Sequence, residues 1–237
     1  MTLLRFFFTM GLLIIVDIPA TFASIQISTT RVIYHEEEKT VSVQITNPGK
    51  HPVLLQSWID NGNPDIKPDS VRTPFILTPP LARVNAEKGQ SLRLSYIGSS
   101  LPTDKESLYW LNVLEIPPLG EKDNNQIQVA FRSRIKLFYR PVTLDDKGAL
   151  LAISSLRWHV TGDDITLENP TPYYVSVLSI TIEHGGKKTS VPTDMLPPKS
   201  RTLVRVPRNI TLNATDNVVV EAINDYGSAI TVPISRA

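Results

Sequence analysis

Side chains able to do chemistry are present in this chain but scattered. The four histidines, His35, His51, His159 and His184, stand alone, without the His-Glu-x-x-His or paired-carboxylate spacing that holds a metal ion. There is no cysteine, which removes disulfides, zinc–thiolate sites and cysteine nucleophiles together. No Gly-x-Ser-x-Gly elbow, phosphate loop or dinucleotide fingerprint occurs. No catalytic centre, metal or cofactor is therefore expected. Asn209-Ile210-Thr211 and Asn213-Ala214-Thr215 match the glycosylation tripeptide, a common chance pattern that matters only in a eukaryotic secretory route.

The regularly spaced chemistry lies in one stretch, from Gln126 to Pro141. Ile127, Val129, Phe131, Ile135, Leu137 and Tyr139 share one parity, and Gln126, Gln128, Arg132, Arg134, Lys136 and Arg140 share the other. That is the two-residue period of a strand, and it predicts one long strand over Gln126–Arg140. Most strands are much shorter, so one part should lie in a core and another run beyond it. Ile135 to Tyr139 reads as core. Ile127, Val129 and Phe131 read either as the inner face of an ordinary strand or as an apolar edge open to a partner, where unpaired N–H and C=O groups supply the chemistry. Periodicity leaves both open.

These residues need a scaffold, and composition bounds it. The chain has 237 residues, 41% hydrophobic and 20% charged, enough for one large or two small cores. With 24 basic and 23 acidic residues the net charge is +1, so no overall field points to nucleic acid or an anionic membrane. Arg132, Arg134 and Lys136 are too few to track a phosphate backbone and lack an aromatic platform. At the N-terminus, Arg5 precedes an apolar run from Phe6 to Val16, followed by Thr21-Phe22-Ala23. This order is that of a secretory signal peptide cut after Ala23, and no later run is long enough to span a bilayer.

The rest of the chain is punctuated by turns: Asn47-Pro48-Gly49, Asn61-Gly62-Asn63-Pro64, Pro79-Pro80 and Pro117-Pro118 separate short apolar runs, among them Val41 to Ile45 and Val53 to Ile59, with Trp58 read as core. With 19 prolines and no sustained helical period, an all-β sandwich architecture is expected. Thr143 to Gly148 is polar and turn-rich and reads as a linker. The expected division is a signal peptide at 1–23, a first domain at 24–143 and a second at 144–237.

Several stretches, taken in order, resemble the PapD-like periplasmic chaperones of the chaperone-usher pilus pathway. They are Thr30–Tyr34, Trp58-Ile59-Asp60, Phe75–Pro80, Glu106–Asn112, Glu115–Pro118, Ile135–Pro141, Glu168–Val175 and Ile223–Gly227, and they cover the whole mature chain. The resemblance implies two immunoglobulin-like β-sandwich domains at an angle around a cleft. It implies a chaperone, not an enzyme, that holds pilin subunits in the periplasm and passes them to an outer-membrane usher.

Residue by residue, it implies a donor strand carrying Ile127, Val129 and Phe131 into an incomplete pilin sandwich. Strand addition of this kind is itself a known mode of recognition. It implies an anchor for the subunit's C-terminal carboxylate at Arg31 and Lys136, and interdomain ion pairs among Glu106, Arg140 and Asp225. Strict alternation sets Lys136 opposite Phe131, so a twist or a bulge near Ser133 is expected to turn it toward the cleft. The cysteine pair of some members is absent, and the short Gly120–Asn125 loop resembles the branch that serves rod-like pili. Weak self-association of the free protein through the donor edge is expected. The competing reading is a secreted immunoglobulin-like adhesion or receptor module, which would not need Arg31 and Lys136 in a cleft. An exported β-sandwich hydrolase has no catalytic spacing to support it.

Overall fold

Short alternating runs become strands wherever a turn residue stops them. In a computed structural model of the chain, which describes residues 25–98, 101–118, 129–208, 210, 212–213 and 216–237, the first unit contains nine. They are β1 (Gln26–Ile27), β2 (Arg31–His35), β3 (Val41–Thr46), β4 (Val53–Asp60), β5 (Phe75–Thr78), β6 (Leu81–Val84), β7 (Gly89–Tyr96), β8 (Ser107–Ile116) and β9 (Phe131–Arg140). On β3, Val43 and Ile45 are buried while Ser42, Gln44 and Thr46 are exposed, as the alternation requires. The strand stops at Asn47, whose Oδ1 accepts from Gly49 N and whose Nδ2 donates to the carbonyls of His51 and Val84.

These strands form two sheets, β1-β3-β7-β5 and β2-β9-β8-β4-β6. Their facing sides enclose a core including Val32, Tyr34, Ile45, Leu55, Leu92 and Leu137. Tyr139, at the buried end of β9, packs its ring 4.7 Å from that of Tyr96 and fixes the strand in the core.

The second unit holds a helix, α1 (Asp146–Ala152), and strands β10 (Arg157–Thr161), β11 (Asp164–Asn169), β12 (Ser176–His184), β13 (Lys187–Pro192), β14 (Ser200–Val204), β15 (Asn217–Ile223) and β16 (Ala229–Arg236). Here one sheet, β13-β12-β15-β16-β10-β11-β14, curls on itself around Trp158, Leu156, Ile165, Ile180 and Val220. The seam is a parallel pairing of β10 with β16 through Arg157↔Ser235 and Trp158↔Arg236. The fold is therefore the expected all-β pair of sandwich-like units.

Two local expectations differ. The segment read as a linker begins a helix, because Asp145 caps it: its Oδ1 accepts from Gly148 N at 2.7 Å. Among the described residues the central strand runs from Phe131, and Gln126 to Gln128 lie outside them. The last cross-strand pair with β8 among the described residues is Glu115↔Phe131, and Val129 and Ala130 precede the strand. Ile127 and the Gly120–Asn125 loop lie outside the described residues, as does the 1–23 segment. Trp58 is buried, but on the outer face of its sheet, where the guanidinium of Arg132 lies 5.9 Å from its ring.

Candidate functional site

Exposure falls along β9. Phe131 and Arg132 are exposed, Ser133 to Lys136 are half-buried, and Leu137 to Arg140 are buried. One flank of the strand is fully paired, with β8 from Glu115↔Phe131 to Ser107↔Tyr139. The other flank is paired only in part. There β2 runs parallel to β9 from Arg31↔Lys136 to His35↔Arg140. Upstream, β1 has crossed to the opposite sheet and pairs with β3, so among the described residues no strand covers Phe131 to Ile135 on this side. An open run of backbone N–H and C=O groups results. The apolar parity continues past the core into it, with Val129 53% and Phe131 57% exposed. Large apolar side chains left in water beside an unpaired edge are costly in isolation and useful to a partner.

The cationic parity takes the other face, which is turned toward the second unit. Phe138 is buried there against the ring of Tyr174, 5.8 Å between centroids. The register of β8 with β9 is unbroken, so no bulge forms at Ser133. Lys136 needs none: the face opposite Phe131 is itself the interdomain face.

Two of the cations on this face are already engaged. Arg134 clamps the buried carboxylate of Asp60 through Nη2 (2.7 Å) and Nε (3.1 Å) and lies over Trp110 at 4.2 Å. Burial alone would raise the Asp60 pKa, but bonds from Arg134, Asn112 and Gly62 N outweigh it and hold the carboxyl below its ordinary value. Arg132 donates to Pro64 O at 2.8 Å.

Arg31 and Lys136 differ. They are paired directly across β2 and β9, and neither forms an ion pair among the described residues. Arg31 is buried and donates from Nη1 to Ile223 O at 2.9 Å, while its Nε has no hydrogen-bond partner among the described residues. Lys136 Nζ lies 3.2 Å from Ser176 Oγ. Burial lowers the pKa of both cations. The neighbouring guanidinium lowers Lys136 further, with Asp194 opposing, and Asp225 opposes the fall at Arg31. Two adjacent, partly desolvated positive charges, neither in salt-bridge contact with a carboxylate among the described residues, make an anion site.

Arg140 lies at the other end of the same strand and is tied to three carboxylates. Its Nε and Nη2 donate to Glu106 Oε1 at 2.9 and 2.7 Å, and Nη2 reaches Asp225 Oδ2 at 2.8 Å. Nη1 donates to Asp146 Oδ1. Glu106 Oε2 accepts from Tyr174 N, so both carboxylate oxygens are used. Burial works against the Arg140 charge, but Glu106 and Asp225 more than offset it and raise its pKa above the ordinary value. This cluster joins β8 and β9 to the β15–β16 turn and α1. The turn approaches closely because Gly227 (φ +82°) has no Cβ, which would sit 2.6 Å from Thr30 Oγ1.

Of the residues singled out from the sequence, Arg31 and Lys136 meet, as do Glu106, Arg140 and Asp225. Val129 and Phe131 lie at the open edge. Asp146, His35, Tyr174 and Ser176 were missed: nothing local distinguishes Asp146 from other acidic turn residues, and its contact with His35 is long-range in the chain.

Comparison with known proteins gives the family. Residues 24–145 match the family model for the pili and flagellar-assembly chaperone PapD N-terminal domain. Residues 151–233 match that for the pili assembly chaperone PapD C-terminal domain. The chain belongs to the PapD family of pilus-assembly chaperones. Its similarity to the probable fimbrial chaperone YadV of Escherichia coli (strain K12) is 43% identity over 223 residues, covering 89% of each chain. The crystal structure of YadV chaperone superposes with a TM-score of 0.75 at 41% identity, covering 89% of this chain and 98% of that one. A Salmonella enterica structure of SafA pilin in complex with the SafB chaperone gives 0.73 at 28% identity, covering 89% and 95%. Members of this family are chaperones, and among the described residues of this one no helix is long and apolar enough to cross a membrane and no cluster could hold a metal ion.

Proposed function

We infer that this PapD-family chaperone acts in the periplasm, after export by the 1–23 signal peptide, and that domains 24–143 and 144–237 together hold a pilin subunit and deliver it to an outer-membrane usher. The observation that carries the reading is the open flank of β9 from Phe131 to Ile135, running directly into Lys136 and Arg31. A subunit whose C-terminal carboxylate sits on these two cations, and whose preceding residues pair with that flank, must run parallel to β9. Register then follows from the anchor. Val129 and Phe131, with Ile127 upstream, supply alternate apolar side chains to the incomplete sandwich. Each contributes roughly 1.5–3 kcal/mol on full burial, before the costs of association. The pairing of SafB with a pilin in a related structure supports this assignment.

Aspartate at Val129 and Phe131 tests it. Both side chains are exposed in the free protein, so thermal unfolding should be unchanged within about 0.5 kcal/mol. Pilin recovered with tagged chaperone from the periplasm should fall at least about tenfold, since a charge would enter an apolar groove. Undiminished pilin recovery would remove the donor role from these residues.

A further inference from the structure

We propose that Asp146 is a positioning residue for the carboxylate anchor, acting through His35 at the far end of β2. The inference rests on the anchor reading above and adds a component to it. Arg31, Ile33 and His35 alternate onto one face of β2, so the anchor arginine and His35 are the two ends of a short bar. Each end is tied across the domain boundary. Arg31 Nη1 donates to Ile223 O at 2.9 Å, and His35 Nε2 lies 2.8 Å from Asp146 Oδ1. With one tie the bar could pivot against the second unit; two ties set its orientation.

Asp146 is well placed for this task because its own position is fixed. The Asp145 backbone exchanges two hydrogen bonds with the Tyr173 hydroxyl, N–H to Oη at 3.1 Å and Oη to C=O at 2.9 Å. A Cβ on Gly148 would lie 2.2 Å from that hydroxyl, so the first turn of α1 can seat on Tyr173 only with glycine there. The same Asp146 oxygen takes Arg140 Nη1, which places it in both the β2 tie and the Arg140 cluster. On its other ring nitrogen His35 faces Glu38, 3.8 Å from Nδ1. Hydrogen bonding from His35, ahead of that from Arg140, holds the Asp146 carboxyl below its ordinary value despite partial burial. A carboxylate in the first turn of a helix also favours the helix itself. That purely local role would not involve β2.

Residual dipolar couplings of the free, isotope-labelled protein decide between the two, using Asp146→Ala, His35→Leu and His35→Gln. Asp146→Ala and His35→Leu should each change the relative alignment of the two units while the couplings within each unit still fit its own structure. His35→Gln, which keeps a side-chain N–H donor, should stay near the wild-type alignment. Affinity for a pilin subunit should fall about twofold to fivefold in the first two variants. His35→Leu leaves α1 untouched, so an unchanged alignment in that variant overturns the proposal whatever Asp146→Ala does. If wild-type protein captures no pilin, the anchor reading fails, whereas the alignment result still decides the tie between His35 and Asp146.

Discussion

Replacing Arg31 and Lys136 together by alanine is expected to abolish recovery of pilin with the chaperone. A charge-assisted hydrogen bond to a shielded carboxylate contributes about 1.5–3 kcal/mol, so losing both cations should weaken binding by at least about a hundredfold. Lys136→Ala is the cleaner single change. Lys136 is half-buried and among the described residues its side chain hydrogen-bonds only Ser176, whereas Arg31 is buried and also bonds Ile223 O across the domain boundary. Circular dichroism should show Lys136→Ala folded while pilin is lost. A pH series adds a second signature. In the free protein burial and the Arg31 charge depress the Lys136 pKa, and a bound carboxylate would raise it again. Binding is therefore linked to proton uptake at alkaline pH. Affinity should be level through neutrality and decline as pH rises through the depressed lysine value, and Lys136→Arg should remove that decline.

Arg140→Ala should produce the largest loss of stability, about 3–5 kcal/mol. The Glu106 side chain is 2% exposed and would lose its guanidinium partner. Asp225 and Asp146, 25% and 58% exposed, remain hydrated and should suffer less. An uncompensated buried carboxylate costs more than an apolar replacement of similar volume. Arg140→Met combined with Glu106→Leu should therefore be less destabilised than Arg140→Ala alone. Denaturant midpoints of the three proteins check this. A small loss in Arg140→Ala would mean that water reaches the cluster and that orientation, not burial, explains it.

Alternation made the core half of β9 readable, because Ile135, Leu137 and Tyr139 face inward in step. It did not reveal which flank of β9 is left open, since that is set by β1 pairing with β3 in the opposite sheet rather than by any residue of β9. Nor did it show that Lys136 lies on the interdomain face without a bulge. Which face meets the second unit is a property of domain packing, not of strand period. The short edge strands Leu81–Val84 and Lys187–Pro192 escaped detection for a similar reason: Lys187-Lys188-Thr189-Ser190 carries almost no apolar alternation, and pairing to β12 holds it in place. Seven-residue α1, with Gly148 inside it, resembles a turn until Tyr173 is seen against the glycine. Arg31, Lys136, Glu106, Arg140 and Asp225 were reached through family resemblance. Without it, each is a charge with no visible partner, because the contacts that distinguish them are formed only by the fold.

The most direct measurement is amide hydrogen exchange across Phe131–Ile135 in the free chaperone and in its complex with a pilin subunit. Alternate amides of this segment point away from β8 and should exchange readily in the free protein. In the complex they should slow by about a hundredfold or more as a parallel strand pairs with them, while amides of β11 and β14 stay unchanged. Pilin bound with the Phe131–Ile135 amides exchanging as fast as before would contradict strand addition at this edge.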